Sequence, residues 1–100
     1  MGEKNRVTID KDLKDLIPRY LENRNKDIIK IKEALAQNDI KKIGVVGHQL
    51  AGNAGSYGFD QLGNIGKRME NAANAQNIEE ITKCLQEIES YMQNLEVIFE

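Results

Sequence analysis

The only histidine of this 100-residue chain lies in a stretch that is rich in glycine. The stretch reads VVGHQLAGNAGSYGF from Val45 to Phe59, and five glycines lie within ten residues of His48. A neutral imidazole is a good nucleophile at physiological pH, and it can accept a phosphoryl group on one ring nitrogen and release it again. His48 is therefore the first candidate for chemistry in this chain.

Other kinds of reactive site cannot be assembled from this composition. One histidine and one cysteine are too few for a structural zinc site, and with His48 as the nucleophile there is no second histidine to act as its base, so no nucleophile–base pair of a triad is assembled. The chain has no glycine-rich phosphate loop with a P-loop lysine, so ATP binding is not expected. A lone nucleophile without a base, a metal or a nucleotide cradle indicates a carrier of a chemical group.

The residues around His48 separate into two faces on a helical wheel of about 100° per residue. The apolar face lies roughly opposite the histidine and comprises Ile43, Val46, Leu50, Ala54 and Tyr57. Small residues lie within about 60° of the histidine, namely Gly44, Ala51, Gly52 and Gly55. Each interior glycine costs about 1 kcal/mol of helix stability relative to alanine. A bare strip beside an exposed imidazole favours close approach by another protein.

Apolar residues recur at helical intervals along the chain, and we find no segment that alternates like a strand, which predicts an all-α fold. Short connections predict an antiparallel up-down four-helix bundle with a short additional N-terminal helix. We expect that helix to begin after Thr8 or Asp10. The chain is predicted to form one domain, with an N-terminal arm at residues 1–9 and the bundle at residues 10–100.

Capping and breaking residues divide the bundle into its longer helices. Pro18 suits the first turn of the second helix, which is expected to run to about Gln37. Asp39 and Asn77 are predicted N-caps of the third and fifth helices, and Glu80 is placed to complete a capping box with Asn77. The fourth helix is expected at about residues 59–75, and the apolar stripe of the fifth continues from residue 78 to residue 99.

Charge and hydropathy exclude several classes of partner. The formal net charge is −2 and the basic residues are scattered, which argues against nucleic acid or a membrane surface as partner. No apolar run approaches the length of a membrane span, and the N-terminus lacks a signal-peptide core, so we expect a cytoplasmic protein. The initiating methionine and the short length favour a free-standing protein, which we expect to be a monomer.

The segment HQLAGNAGSYGFDQL, followed by Met69-Glu70, resembles the motif of histidine-containing phosphotransfer (HPt) domains. That motif reads H-x-L-K-G-x-x-x-x-x-G, then an apolar residue and a leucine, and a few turns later an apolar–Glu pair. The positions that match are His48, Leu50, Gly52, Gly58 and Leu62. The resemblance covers nearly the whole chain, from about residue 9 to residue 95.

The resemblance implies that His48 is phosphorylated and exchanges its phosphoryl group with an aspartate on a response-regulator receiver domain. It places the protein in a two-component phosphorelay fed by a sensor or hybrid histidine kinase, as a phosphocarrier without kinase activity of its own. No cofactor is expected, because the Mg²⁺ used in transfer is bound by the receiver.

Two other functions stay open at this point. One is a degenerate HPt domain that docks a receiver without phosphotransfer. The other is a phosphatase that removes phosphate from the receiver's phosphoaspartate, with Gln49, Asn53 or Glu70 orienting the attacking water.

The chain departs from the HPt motif at one position. The family usually has a lysine three residues after the histidine, where this chain has Ala51. A cation there would hold phosphoryl oxygens through charge-assisted contacts. Lys67 on the next helix ranks above Lys41 as a substitute, since Lys41 lies about 10 Å along the helix from the histidine. The expected docking and phosphoryl-binding residues are Lys41, Gly44, Val45, Gln49, Ala51, Gly52, Gly55 and Lys67.

Four residues of this region and its surroundings have simpler interpretations. Gly47 lies nearer the apolar face and suits close packing of two helices, and Gly58 suits the end of a helix. Asn53 is interpreted as a solvated helix position. Cys84 flanks the apolar stripe of the last helix and is predicted to be a small packed residue.

Overall fold

The computed structural model describes residues 4–100, and helices account for most of this part of the chain. It contains four α-helices: α1 (Ile17–Ala36), α2 (Ile40–Asn53), α3 (Asp60–Asn74) and α4 (Ile78–Gln93). Two short strands, β1 (Asn5–Ile9) and β2 (Leu95–Phe99), form a parallel sheet. The prediction of a mainly helical protein with four long helices is confirmed. Residues 1–3 of the predicted N-terminal arm lie outside the described residues.

The predicted helix starts are confirmed by their capping hydrogen bonds. The side-chain oxygen of Asp39 accepts from the Lys42 N–H at 3.2 Å, and that of Asn77 accepts from the Glu80 N–H at 3.2 Å. The prediction that Glu80 completes a capping box by accepting from the Asn77 N–H is wrong. That N–H donates to the Ala72 carbonyl at 2.8 Å instead. The Glu80 carboxylate instead accepts from a guanidinium of α3, which ties α4 to its neighbour.

The predictions for the two ends of the chain are wrong. The expected N-terminal helix is reduced to one 3₁₀ turn at Lys11–Leu13, and α4 stops at Gln93 instead of continuing to residue 99. The segments beyond them pair as strands, with Asn5 opposite Leu95. Both strands are rich in β-branched residues, which favour extended backbone. The spacing of residues 95 and 99 fits an alternating strand as well as a helical stripe.

The helices enclose one apolar core. Its largest fully buried side chains come from all four helices and from the loop before α3, and they are Ile31, Ile43, Leu50, Phe59, Leu62, Met69, Ile81, Cys84 and Ile88. Burial raises the pKa of the Cys84 thiol, and the prediction that this residue packs in the core is confirmed. No helix within residues 4–100 is both long and apolar enough to cross a membrane.

A polar cluster joins α1 to the C-terminal end of α2. The Tyr20 hydroxyl donates to Asn53 Oδ1 at 2.8 Å, and Arg24 Nη1 donates to the same oxygen at 3.1 Å. Arg24 Nε also lies 2.8 Å from Asp27 Oδ2, as an ion pair whose N–H does not point along the contact. The interpretation of Asn53 as a solvated residue is therefore wrong, and this side chain connects the C-terminal end of α2 to α1.

Candidate functional site

Helix α2 presents His48 to solvent. The apolar residues of α2 that face the core include Ile43, Val46 and Leu50, which are at most 4% exposed. The histidine lies on the other side of the helix, and its side chain is 74% exposed. The prediction that the imidazole faces solvent is confirmed.

Helices α2 and α3 approach each other closely beside the histidine. A Cβ atom added at Gly47 would lie 2.8 Å from the Gly66 carbonyl oxygen and 2.8 Å from the Glu70 backbone nitrogen. One added at Gly66 would lie 2.6 Å from Leu50 Cβ. Such distances are far shorter than ordinary van der Waals contact, so both positions require glycine. The predicted packing role of Gly47 is confirmed, and the crossing brings side chains of α3 to the level of His48.

Glu70 of α3 is the direct partner of the imidazole. Its Oε2 lies 2.8 Å from His48 Nδ1, and its Oε1 accepts from Lys67 Nζ at 3.3 Å. Because a carboxylate can only accept, the hydrogen bond requires the proton on Nδ1. The second ring nitrogen, Nε2, then carries the lone pair, and no hydrogen bond to it is formed by residues 4–100.

Glu70 is ionised in this arrangement. Desolvation opposes ionisation, but the hydrogen bonds from His48 and Lys67 outweigh it, so the pKa of the Glu70 carboxyl is lowered from its ordinary value. The side chain is 18% exposed, whereas that of Lys67 is 63% exposed. One shielded carboxylate thus joins an exposed imidazole to an exposed ammonium.

Most of the other predicted site residues line one of two depressions, and His48 borders the first of them. A cleft of about 300 Å³ is bordered by the histidine, Lys41, Gly44 and Val45. A second depression, of about 360 Å³, is bordered by Ala51, Gly55 and Lys67. Gln49 and Gly52 are exposed on α2.

Only some of the glycines near His48 leave the surface of α2 uncovered. A Cβ at Gly52 would meet no heavy atom within 4 Å, which fits the predicted bare strip. A Cβ at Gly44 would lie 3.3 Å from Ala73 Cβ, so Gly44 is half-buried and also serves helix packing. Gly58 has φ of 93°, in the left-handed region, and it ends the 3₁₀ turn that follows α2, as predicted for a terminating glycine.

Glu70 is missing from the predicted docking and phosphoryl-binding residues. The sequence suggests a role for it only as a candidate for orienting water in a phosphatase. The sequence signal that could have identified Glu70 is the Met69-Glu70 pair. Met69 is buried in the core, and this fixes the direction in which Glu70 points. Within residues 4–100, no group of three or more His, Cys, Asp or Glu side chains is arranged to hold a metal ion.

Comparison with known proteins identifies the family of this chain. A search of curated proteins and a search of solved structures found no significant match. A family model described as "Hpt domain" matches residues 15–97, which include all four helices. The chain therefore belongs to the Hpt domain family, the histidine phosphotransfer domains of phosphorelays.

Proposed function

We propose that this protein carries a phosphoryl group on Nε2 of His48, to or from the aspartate of a response-regulator receiver domain. The observation that carries the proposal is the hydrogen bond between His48 Nδ1 and Glu70 Oε2. It holds the exposed ring in the tautomer whose nucleophilic nitrogen points away from the protein. Membership of the Hpt domain family supplies the class of reaction.

The transfer step follows from this geometry. The Nε2 lone pair attacks the phosphorus of the receiver's aspartyl phosphate, and the N–P bond forms as the P–O bond to the aspartate breaks. Nδ1 keeps its proton, so the ring becomes a cation as the phosphoryl group arrives. The Glu70 carboxylate already lies beside Nδ1, where it stabilises that charge without rearrangement.

The remaining components are supplied by the partners. We expect Mg²⁺ to be bound by the receiver, and a sensor or hybrid histidine kinase to be the original source of the phosphoryl group. The protein then acts in the cytoplasm as a monomeric carrier without kinase activity of its own. Receiver docking over His48 would use Val45, Gln49, Gly52 and Gly55, which are all exposed.

Phosphotransfer from a labelled receiver tests this function. The protein is mixed with phosphorylated receiver domains and Mg²⁺, and an acid-labile, base-stable phosphate on this chain is measured, with His48→Gln as the control. We expect label on the wild type and none on the variant. Absence of label on the wild type, at concentrations at which receiver binding is demonstrated, would refute the carrier function.

The same experiment separates the two other functions that stayed open. A docking module would bind the receiver and remain unlabelled, and it would keep its regulatory effect in a His48→Ala variant. A phosphatase would accelerate loss of phosphate from the receiver in that variant as well. Two of the residues considered for orienting water in a phosphatase already form hydrogen bonds with other side chains. Asn53 accepts from Tyr20 and Arg24, and Glu70 accepts from His48 and Lys67.

A further inference from the structure

Phosphorylation of His48 would place a dianion where α2 provides no positive charge. From Gly44 to Asn53 the helix contains no lysine or arginine. The nearest charged side chain of α3 is Glu70, whose ionised carboxylate repels the incoming phosphoryl group. A cation is therefore needed close to the ring to compensate both negative groups.

Lys67 is the cation that the structure brings to the ring. Its Nζ lies 3.3 Å from Glu70 Oε1, while Oε2 of the same carboxylate lies 2.8 Å from the imidazole. Only one carboxylate group separates the ammonium from the ring. Lys41 borders the cleft next to His48, but no ion pair with Glu70 is formed by this side chain.

The surface beside Lys67 leaves room for its side chain to move. The depression that it borders is lined by the small residues Ala51, Gly55 and Gly63 and by Asp60 and Asn64, which are both exposed, and it has a volume of about 360 Å³. The Lys67 side chain is 63% exposed and has four rotatable carbons. The ammonium can therefore shift from Glu70 toward an oxygen on Nε2 without displacing a packed side chain.

We propose that Lys67 is the phosphoryl-binding cation of this site, reaching across from α3 to contact phosphoryl oxygens on Nε2. In the unphosphorylated protein the Lys67 ammonium forms an ion pair with Glu70 Oε1. When His48 is phosphorylated, Lys67 leaves Oε1 for the phosphoryl oxygens, and Glu70 remains on the protonated Nδ1. This inference rests on the proposed function, because it presumes that Nε2 accepts the phosphoryl group.

The lifetime of the phosphohistidine tests the inference without any receiver. The wild type, Lys67→Ala, Lys67→Ala/Ala51→Lys and the control Lys42→Ala are phosphorylated with phosphoramidate, a small-molecule phosphoryl donor. Lys42 is exposed on α2 but lies off the histidine face. After removal of the donor, the decay of the acid-labile phosphate is measured at neutral pH.

We expect the half-life to be about fivefold shorter in Lys67→Ala, which corresponds to the upper end of what an exposed ion pair contributes. Ala51→Lys should restore the half-life, since it puts an ammonium into the same depression from the other helix. Lys42→Ala should decay like the wild type. An unchanged half-life in Lys67→Ala overturns the inference, and so does a shortened one that Ala51→Lys fails to restore.

These outcomes are distinct from failure of the proposed function. If chemically loaded protein shows the expected half-lives but no receiver transfers phosphate to it, the cation is correctly assigned and the carrier function is wrong. If the wild type cannot be loaded while free histidine in the same mixture is, Nε2 is not an accessible nucleophile and both proposals fall.

Discussion

His48 shares one carboxylate with Lys67, and this sharing determines what each group can do. Glu70 holds the proton on Nδ1 through its Oε2 and holds the ammonium through its Oε1. The imidazole therefore remains exposed, as a carrier requires, and yet has a defined tautomer and a defined ring orientation. A histidine without this partner would present either nitrogen to an incoming phosphoryl group.

Replacement of Glu70 by glutamine should slow phosphoryl transfer to His48. The amide retains a hydrogen-bond acceptor but removes the negative charge that stabilises the ring cation formed during transfer. We expect a decrease of about tenfold, because a charge-assisted hydrogen bond is roughly twice as strong as a neutral one and the amide keeps only the neutral one. The measurement is the initial rate of labelling by a phosphorylated receiver, with Glu79→Gln on the exposed start of α4 as the control. Equal rates for Glu70→Gln and the control would contradict the role of the charge.

The lowered pKa of Glu70 also predicts how stability depends on pH. A carboxyl whose pKa is lowered by folding stabilises the native state above its ordinary pKa, and this contribution is lost as the pH falls through its value in the folded protein. The difference in free energy of unfolding between the wild type and Glu70→Gln should therefore shrink as the pH falls from about 5 to about 3, where the carboxyl takes up its proton. Urea unfolding of both proteins over this range measures it. A difference that stays constant or grows on acidification would rule out an ionised, bonded Glu70.

At the scale of elements, the crossing of α2 and α3 builds the site. The helices touch at Gly47 and Gly66, where neither can carry a side chain. This contact places Glu70 and Lys67 opposite the histidine face, and the Asn53 cluster holds the far end of α2 against α1. The glycines of α2 thus serve two purposes: some allow close packing, and others leave the surface around His48 uncovered.

Alanine substitutions should separate these two purposes. Gly47→Ala is expected to lower the free energy of unfolding by roughly 2–3 kcal/mol, because its methyl group would overlap the backbone of α3. Gly52→Ala should raise it by up to about 1 kcal/mol, because the site is open and alanine favours the helix. Urea unfolding of the two variants and the wild type checks both signs. If Gly47→Ala proved as harmless as Gly52→Ala, the close crossing would be incorrect.

At the scale of the whole molecule, the parallel sheet joins the two ends of the chain. Asn5 pairs with Leu95 and Ile9 with Phe99, so segments ninety residues apart in sequence lie side by side. The Asn5 N–H donates to the Asn94 carbonyl at 2.7 Å, and the Glu100 N–H donates to the Ile9 carbonyl at 3.0 Å. Alternate residues of β1 make these bonds in a parallel ladder, so Val7 faces β2 and Thr8 faces away.

Proline substitutions in β1 test whether this sheet stabilises the fold. Val7→Pro removes an N–H that donates to β2, whereas Thr8→Pro removes one that points outward. Val7→Ala measures separately the loss of the Val7 side chain, which packs against the core. We expect Val7→Pro to be less stable than Thr8→Pro by about 2 kcal/mol, the cost of a lost hydrogen bond with an unsatisfied acceptor. Thermal or urea unfolding provides the comparison. Equal stability of the two variants would show that the strand pairing contributes nothing.

The sequence by itself determined the features that depend on local periodicity and capping. Apolar spacing located the four helices, Asp39 and Asn77 marked two of their starts, and the wheel placed His48 opposite the core. These signals are local, because a helix forms its hydrogen bonds within one segment and its side chains return to the same face about every 3.6 residues. The HPt motif also follows from residues that are close together in the chain.

Only the tertiary structure decided which side chains meet across elements. The pairing of β1 with β2 depends on segments at opposite ends of the chain, and their residue spacing was also compatible with a helix. The contact of Glu70 with His48 depends on how closely α2 and α3 cross, which is set by the facing of Gly47 and Gly66. Such contacts are determined by packing in three dimensions, so no local pattern on either helix specifies them.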